Sequence, residues 1–155
     1  MSGIISLTAF GGRSGIIGRP PSFIAYGGSG NTTIADGATV PFSTIIQRGS
    51  GMHASTGVFT CPVGGFYHFG AQITTNEHPP LGFSFKINAS SYGILARTTS
   101  GADTQSMSEN DTLLIFGAAE LPAGETVSIV NMVGANRDIT LNAISHTYFR
   151  GYLIN

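Results

Sequence analysis

The sequence predicts an all-β sandwich, and three observations carry that expectation. Short apolar and β-branched runs follow one another along the chain, each bounded by glycine, proline or asparagine. No window of helical spacing survives this punctuation. Two aromatic stretches, Phe59-Thr-Cys-Pro-Val-Gly-Gly-Phe-Tyr-His-Phe69 and Tyr148-Phe-Arg-Gly-Tyr-Leu153, describe how such a sandwich closes. In the first, Tyr67 and Phe69 share one face, because side chains two apart on a strand point the same way.

Taken in order, residues 1–21 read as an extended, glycine-rich N-terminal arm and residues 22–155 as one domain. In the arm, Gly12, Gly15 and Gly18 fall three apart and briefly imitate a collagen repeat. So few triplets cannot hold a triple helix, and a flexible arm is the stronger reading. Ile4, Ile5, Leu7 and Phe10 could add a strand to a neighbour's sheet edge, and Arg13 and Arg19 could grip a partner. From Ser22 onward the predicted strands are Ser22–Tyr26, Ser43–Gln47, Val58–Thr60, Tyr67–Thr74, Phe83–Ile87, Gly93–Thr98, Thr112–Ala118, Thr126–Met132 and Thr147–Ile154. Turn signals separate them, among them Gly27-Gly-Ser-Gly30, Gly49-Ser-Gly51, Pro79-Pro80, Pro122-Ala-Gly124 and Asn131 to Asn136. Pro62 and Gly64-Gly65 feed the central aromatic strand, with Phe59 packing its ring beside Tyr67 and Phe69. Leu113-Leu-Ile-Phe116 is apolar on both faces, so its second face also calls for cover.

Composition narrows the function. Charged residues are 10% of the 155, with a formal net charge of −1, so no basic footprint for nucleic acid exists. Low charge suits a surface hidden against copies of the same chain. No apolar run is long enough to span a bilayer. The N-terminus lacks a cationic start and a long apolar centre, which disfavours ordinary secretion. Cys61 is the single cysteine, so no intrachain disulfide forms, and its place before Pro62 suggests a small buried hydrophobe.

Reactive motifs are missing from the sequence. His53, His68, His78 and His146 fall at no ligand spacing, and no nucleophile elbow or phosphate loop occurs. Catalytic residues are therefore not expected, and His68 should lie on the face opposite Tyr67 and Phe69. Asp103, Glu109 and Asp111 cluster in a loop-rich stretch and read first as solvated acids, with calcium as the one cofactor they could hold. Asn31, Asn88 and Asn110 match the glycosylation pattern, which matters only on a eukaryotic secretory route.

The order Phe59-x5-Gly65-x-Tyr67-x-Phe69, followed by Phe149-x-Gly151-Tyr152-Leu153, resembles the globular heads of the complement C1q and tumour necrosis factor superfamily. Departures are Ala71, where the family usually has an aromatic, and Gln47 and Met52 upstream. The resemblance implies a jelly roll of about ten strands in a compact homotrimer, with Phe59, Tyr67, Phe69, Phe116, Phe149 and Tyr152 in the fold or trimer core. It also implies apical recognition loops, here Glu77–Pro80 and Ser100–Asn110, near which some such heads bind calcium. The expected function is a non-enzymatic structural protein of a virus particle, a phage capsid decoration or cement protein docked on capsid protein by its arm. The alternative is a secreted or surface-displayed recognition head, or a tail-fibre tip, binding glycans or proteins.

Overall fold

The computed structural model describes residues 20–27, 30–53, 56–75, 81–88, 94–100, 111–141 and 146–154. Through them run β1 (Ser22–Tyr26), β2 (Asn31–Ile34), β3 (Thr44–Arg48), β4 (Met52–His53), β5 (Val58–Thr60) and β6 (Gly65–Thr75). The second half holds β7 (Leu81–Ile87), β8 (Ile94–Ser100), β9 (Asp111–Leu121), β10 (Thr126–Asn131), β11 (Arg137–Thr140) and β12 (Tyr148–Leu153). No helix occurs among the described residues.

In the larger sheet β9, β6, β12, β1 and β3 lie side by side, and β11 joins at the far end of β6, carrying β2 with it. The smaller sheet runs β4–β5–β10–β7–β8. Neighbouring strands are antiparallel throughout. Strand alternation decides what faces inward. Along β12, Phe149, Gly151 and Leu153 are buried while Arg150 and Tyr152 are exposed.

Rings fill the space between the sheets. Phe23 stacks on Phe59 at 4.6 Å between centroids and meets Phe149 edge-on at 4.8 Å. Phe59 in turn reaches Tyr67 at 5.7 Å and Phe69 at 5.9 Å, and Phe85 of the opposite sheet meets Phe149 at 5.6 Å. Such contacts add to the area they remove from water, about 0.5–1.5 kcal/mol per pair. Gly151 makes this close packing possible: a Cβ there would lie 2.6 Å from Phe23 and 2.7 Å from Phe69. The Tyr67 hydroxyl donates to the Val63 carbonyl at 2.7 Å, so the buried phenol is satisfied.

The turns follow local chemistry. Gly124 N–H donates to the Cys61 carbonyl and Cys61 N–H to the Glu125 carbonyl, both at 2.8 Å, which ties the Pro122–Gly124 turn to the end of β5. Asn88 takes a left-handed φ of 51°, tolerable for asparagine, and its Oδ1 accepts from Thr126 N–H at 2.9 Å.

The jelly roll expected from the sequence is present, the nine strands given individually rising to twelve among the described residues. The added segments are β2, β4 and β11. Asn31-Thr-Thr-Ile34 and Arg137-Asp-Ile-Thr140 are polar and short, and each is a strand mainly because the other pairs with it, Thr33 Oγ1 donating to Asp138 Oδ1 at 2.5 Å. Met52–His53 sits directly after the Gly49–Gly51 turn and is held by β5. Asn131 belongs to β10 rather than to a turn; its side-chain amide donates to the carbonyls of Ile34 and Ala135.

Candidate interaction face of the larger sheet

The outer face of the larger sheet is the most unusual surface among the described residues. Register places its side chains in rows across the strands. Ala118, His68, Tyr152 and Ser22 form one row, and Phe116, Gly70, Arg150, Ile24 and Ile46 the next. A third row holds Leu114, Gln72, Tyr148 and Tyr26. Leu114, Phe116, Tyr152 and Ile46 remain 50, 51, 45 and 58% exposed, and Phe66 and Ile154 continue the apolar surface at one end. Single exposed apolar residues are ordinary; a contiguous field of them marks an interaction site.

At the centre of the field lies a position without a side chain. A Cβ on Gly70 would meet Arg150 Nε at 3.1 Å and Phe116 Cδ1 at 3.3 Å, so both neighbours lean over the glycine. The Arg150 guanidinium stands 5.7 Å from the Tyr148 ring centroid, a distance at which cation and ring attract. His68 tilts against Tyr152 with ring centroids 5.2 Å apart, and its Nδ1 is buried without a hydrogen-bond partner. Beside these residues an open groove of about 380 Å³ runs along β1 and β3, lined by Ile24, Ile46 and Gln47 on one side and His68, Arg150 and Tyr152 on the other.

The two ends of the sandwich differ. Thr75, Leu81, Ser100 and Asp111 lie at one end, since Thr75 pairs with Asp111 and Leu81 with Ser100. Residue 22 enters at the opposite end, in the row of Tyr152 and His68. The described residues that flank the expected apical stretches thus lie at one pole and Ser22 at the other.

The residues singled out in the sequence fall into three groups. Phe59, Tyr67, Phe69 and Phe149 are fully buried between the sheets. Phe116 and Tyr152, expected in the fold or trimer core, are outside the core of the protomer itself, because alternation turns them outward beside inward-facing Ile115 and Gly151. The arm residues Ile4, Ile5, Leu7, Phe10, Arg13 and Arg19 lie outside the described residues, as do Asp103 and Glu109. Asp111 opens β9. Among the described residues no group of three or more His, Cys, Asp or Glu is placed to hold a metal ion. Of the histidines, His53 is exposed, His78 lies outside the described residues, and the His146 carbonyl accepts from Thr74 Oγ1 at 2.6 Å. Cys61 is buried, and desolvation, helped by the nearby Glu125 carboxylate, pushes its thiol up to about 11, which makes it a poor nucleophile. The sequence reading missed Ile46, Tyr148 and Arg150 as members of the outer face. The outward alternation of Tyr148, Arg150 and Tyr152 was the signal that could have found two of them.

The C1q domain model matches residues 22–154. The chain belongs to the C1q domain family. Among solved structures, the globular domain of zebrafish complement 1qA is 22% identical, with a TM-score of 0.64 over 87% of this chain and 98% of that one. The tumour necrosis factor Eiger of S. frugiperda is 16% identical, TM-score 0.66, over 88% and 94%. Murine APRIL is 15% identical, TM-score 0.66, over 88% and 100%. At these identities the likeness is one of fold. No curated protein sequence matches the chain. Among the described residues no helix is long and apolar enough to cross a membrane.

Proposed function

We propose that this C1q domain is a non-enzymatic binding or scaffolding head that works as a homotrimer, its copies meeting through the outer face of β9, β6, β12 and β1. The observation that carries the reading is the half-exposed set Leu114, Phe116, Tyr152 and Ile46 on one sheet face. Fully burying one such side chain is worth about 1.5–3 kcal/mol, so a few per copy favour assembly strongly before association costs. Among the described side chains the face carries Arg150 near its centre and Glu120 at the end of β9, a low charge that suits the centre of an interface. Sedimentation velocity tests it: the native chain should run as a trimer, and Phe116→Asp should run as a folded monomer. A native chain that is monomeric at micromolar concentration would end the proposal.

Within that reading the N-terminal segment anchors the trimer to a larger assembly, a virus shell being the assembly we favour. Its support is chemical: Arg13 and Arg19 within a glycine run, and Ile4, Ile5, Leu7 and Phe10 beyond it. Removing residues 1–21 should leave a folded trimer that no longer co-sediments with particles. A truncated head that still decorates them in full would remove the anchoring role. A second reading is favoured by the pole at which the residues flanking segments 76–80 and 101–110 lie, opposite Ser22. There the head recognises glycans or proteins through those loops, outside the cell. Substitutions in the loops that abolish binding without changing the trimer would support it, as would calcium-dependent binding through Asp103, Glu109 and Asp111.

A further inference from the structure

His68 sits where assembly through the outer face would enclose it. Its ring lies against Tyr152, and its Nδ1 is already buried with no acceptor in reach. Histidine is the side chain that ordinarily changes charge between about pH 5 and 8. In the neutral ring an unprotonated Nδ1 needs no acceptor, whereas the imidazolium carries an N–H on both nitrogens. A proton on Nδ1 would therefore be a buried donor without a partner, and a charge in a closing apolar interface.

The groups that face His68 come from each strand packed beside it. On β12, Tyr152 is the register partner of His68, and Arg150 stands one row along, a fixed positive charge leaning over Gly70. On β9, Ala118 is the direct partner, and Glu120, opposite Phe66, is the one acid a row away. Glu120 and Arg150 are both exposed, so water screens both charges. Across β1, Ser22 is uncharged, and Arg48 of β3 stands in register with it. Among the described residues Arg150 and Glu120, one of each sign, stand one row from His68, and neither is a hydrogen-bond partner of its buried Nδ1.

We infer that His68, stacked on Tyr152 in the outer face of the larger sheet, makes the assembly of this head acid-sensitive: neutral His68 permits closure of the interface and protonated His68 opens it. The inference rests on the homotrimer reading. Its chemistry is proton binding alone, with no bond made or broken in the chain.

Sedimentation equilibrium of the full chain tests it, at about pH 8 and about pH 5.5, with near-ultraviolet circular dichroism recorded alongside. For the native chain the trimer dissociation should increase about tenfold or more on acidification, with the fold's dichroism retained. His68→Gln and His68→Phe should each lose most of that dependence; two variants guard against one of them failing to assemble. A native chain equally trimeric at both pH values would overturn the inference and leave the trimer standing. Acid sensitivity that persists undiminished in both variants would also overturn it. A chain monomeric at both pH values would remove the trimer reading, and this inference with it.

Discussion

The same strands of the larger sheet present two unlike faces. On β6 the inward residues Tyr67, Phe69, Ala71 and Ile73 are all fully buried, whereas outward Phe66 is exposed and His68 and Gln72 are half-buried. On β12 the inward positions are Phe149, Gly151 and Leu153; the outward ones are Tyr148, Arg150 and Tyr152. Both faces are aromatic, but only the inner one is closed by a second sheet within the chain. Ring content alone therefore does not say which residues hold the protomer together. The inner face is fixed by close contact, down to a glycine that two phenyl rings touch. The outer face is open to solvent, with a cation and a histidine among its rings.

The largest effect expected from this contrast is in one pair of tyrosines. Tyr67→Ala removes a buried ring and its bond to the Val63 carbonyl and should cost about 3–5 kcal/mol of protomer stability. Tyr152→Ser, one strand away on the other face, should change the denaturant midpoint of the dilute chain by less than about 0.5 kcal/mol equivalent. Its effect should appear in sedimentation instead. Equal losses in chemical unfolding would mean that the two faces are not energetically distinct.

Two glycines sharpen the comparison at a smaller scale. Gly151→Ala places a methyl against Phe23 and Phe69 at distances real atoms do not adopt, so rings that pack on one another must shift. Overpacking of this kind costs about 1–3 kcal/mol. Gly70→Ala meets Arg150 and Phe116 at 3.1 and 3.3 Å, but both are free to swing outward. Its effect on thermal unfolding should be slight, within about 0.5 kcal/mol. Were Gly70→Ala the more damaging of the two, the outer face would be as rigid as the core.

The inner face was far more legible in the sequence than the outer one. Alternation around Tyr67 and Phe69, turned by Pro62 and Gly64-Gly65, fixes a strand and its buried side without any partner. Phe149 and Gly151 likewise read as inward once the last strand is granted. Phe116 and Tyr152 were legible only as aromatic, because the same period that buries one set exposes its neighbours, and sequence alone does not say which set. The short strands β2, β4 and β11 were invisible for a different reason. Their residues have little apolar pattern; β2 and β11 become strands through a ladder between distant segments, as Arg137 does with Ile34, and two-residue β4 through its pairing with β5. The pairing of Phe116 and Arg150 across Gly70 needs the register of three strands at once, which no local signal carries.

A last effect belongs to the inner face and shows as a pH dependence only in the alkaline range. Burial, with Glu125 nearby, raises the Cys61 thiol from an ordinary value of 9.0 to about 11. Burial, and then the Cys61 charge, also raises the Tyr67 phenol. Both groups are acids held in their protonated form by the fold. Above about pH 9 the unfolded thiol has lost its proton while the folded one retains it, so the unfolded state binds fewer protons and stability falls as pH rises. The contribution is complete below pH 9 and lost as pH passes through about 11. Cys61→Ser has no group that ionises in this window, so urea unfolding of that variant should show a shallower alkaline decline than the native chain. The outer-face variant Tyr152→Ser should leave the decline unchanged. An alkaline slope that moves with Tyr152 and not with Cys61 would assign it to the exposed face, and the contrast between the faces would fail where burial should make it plainest.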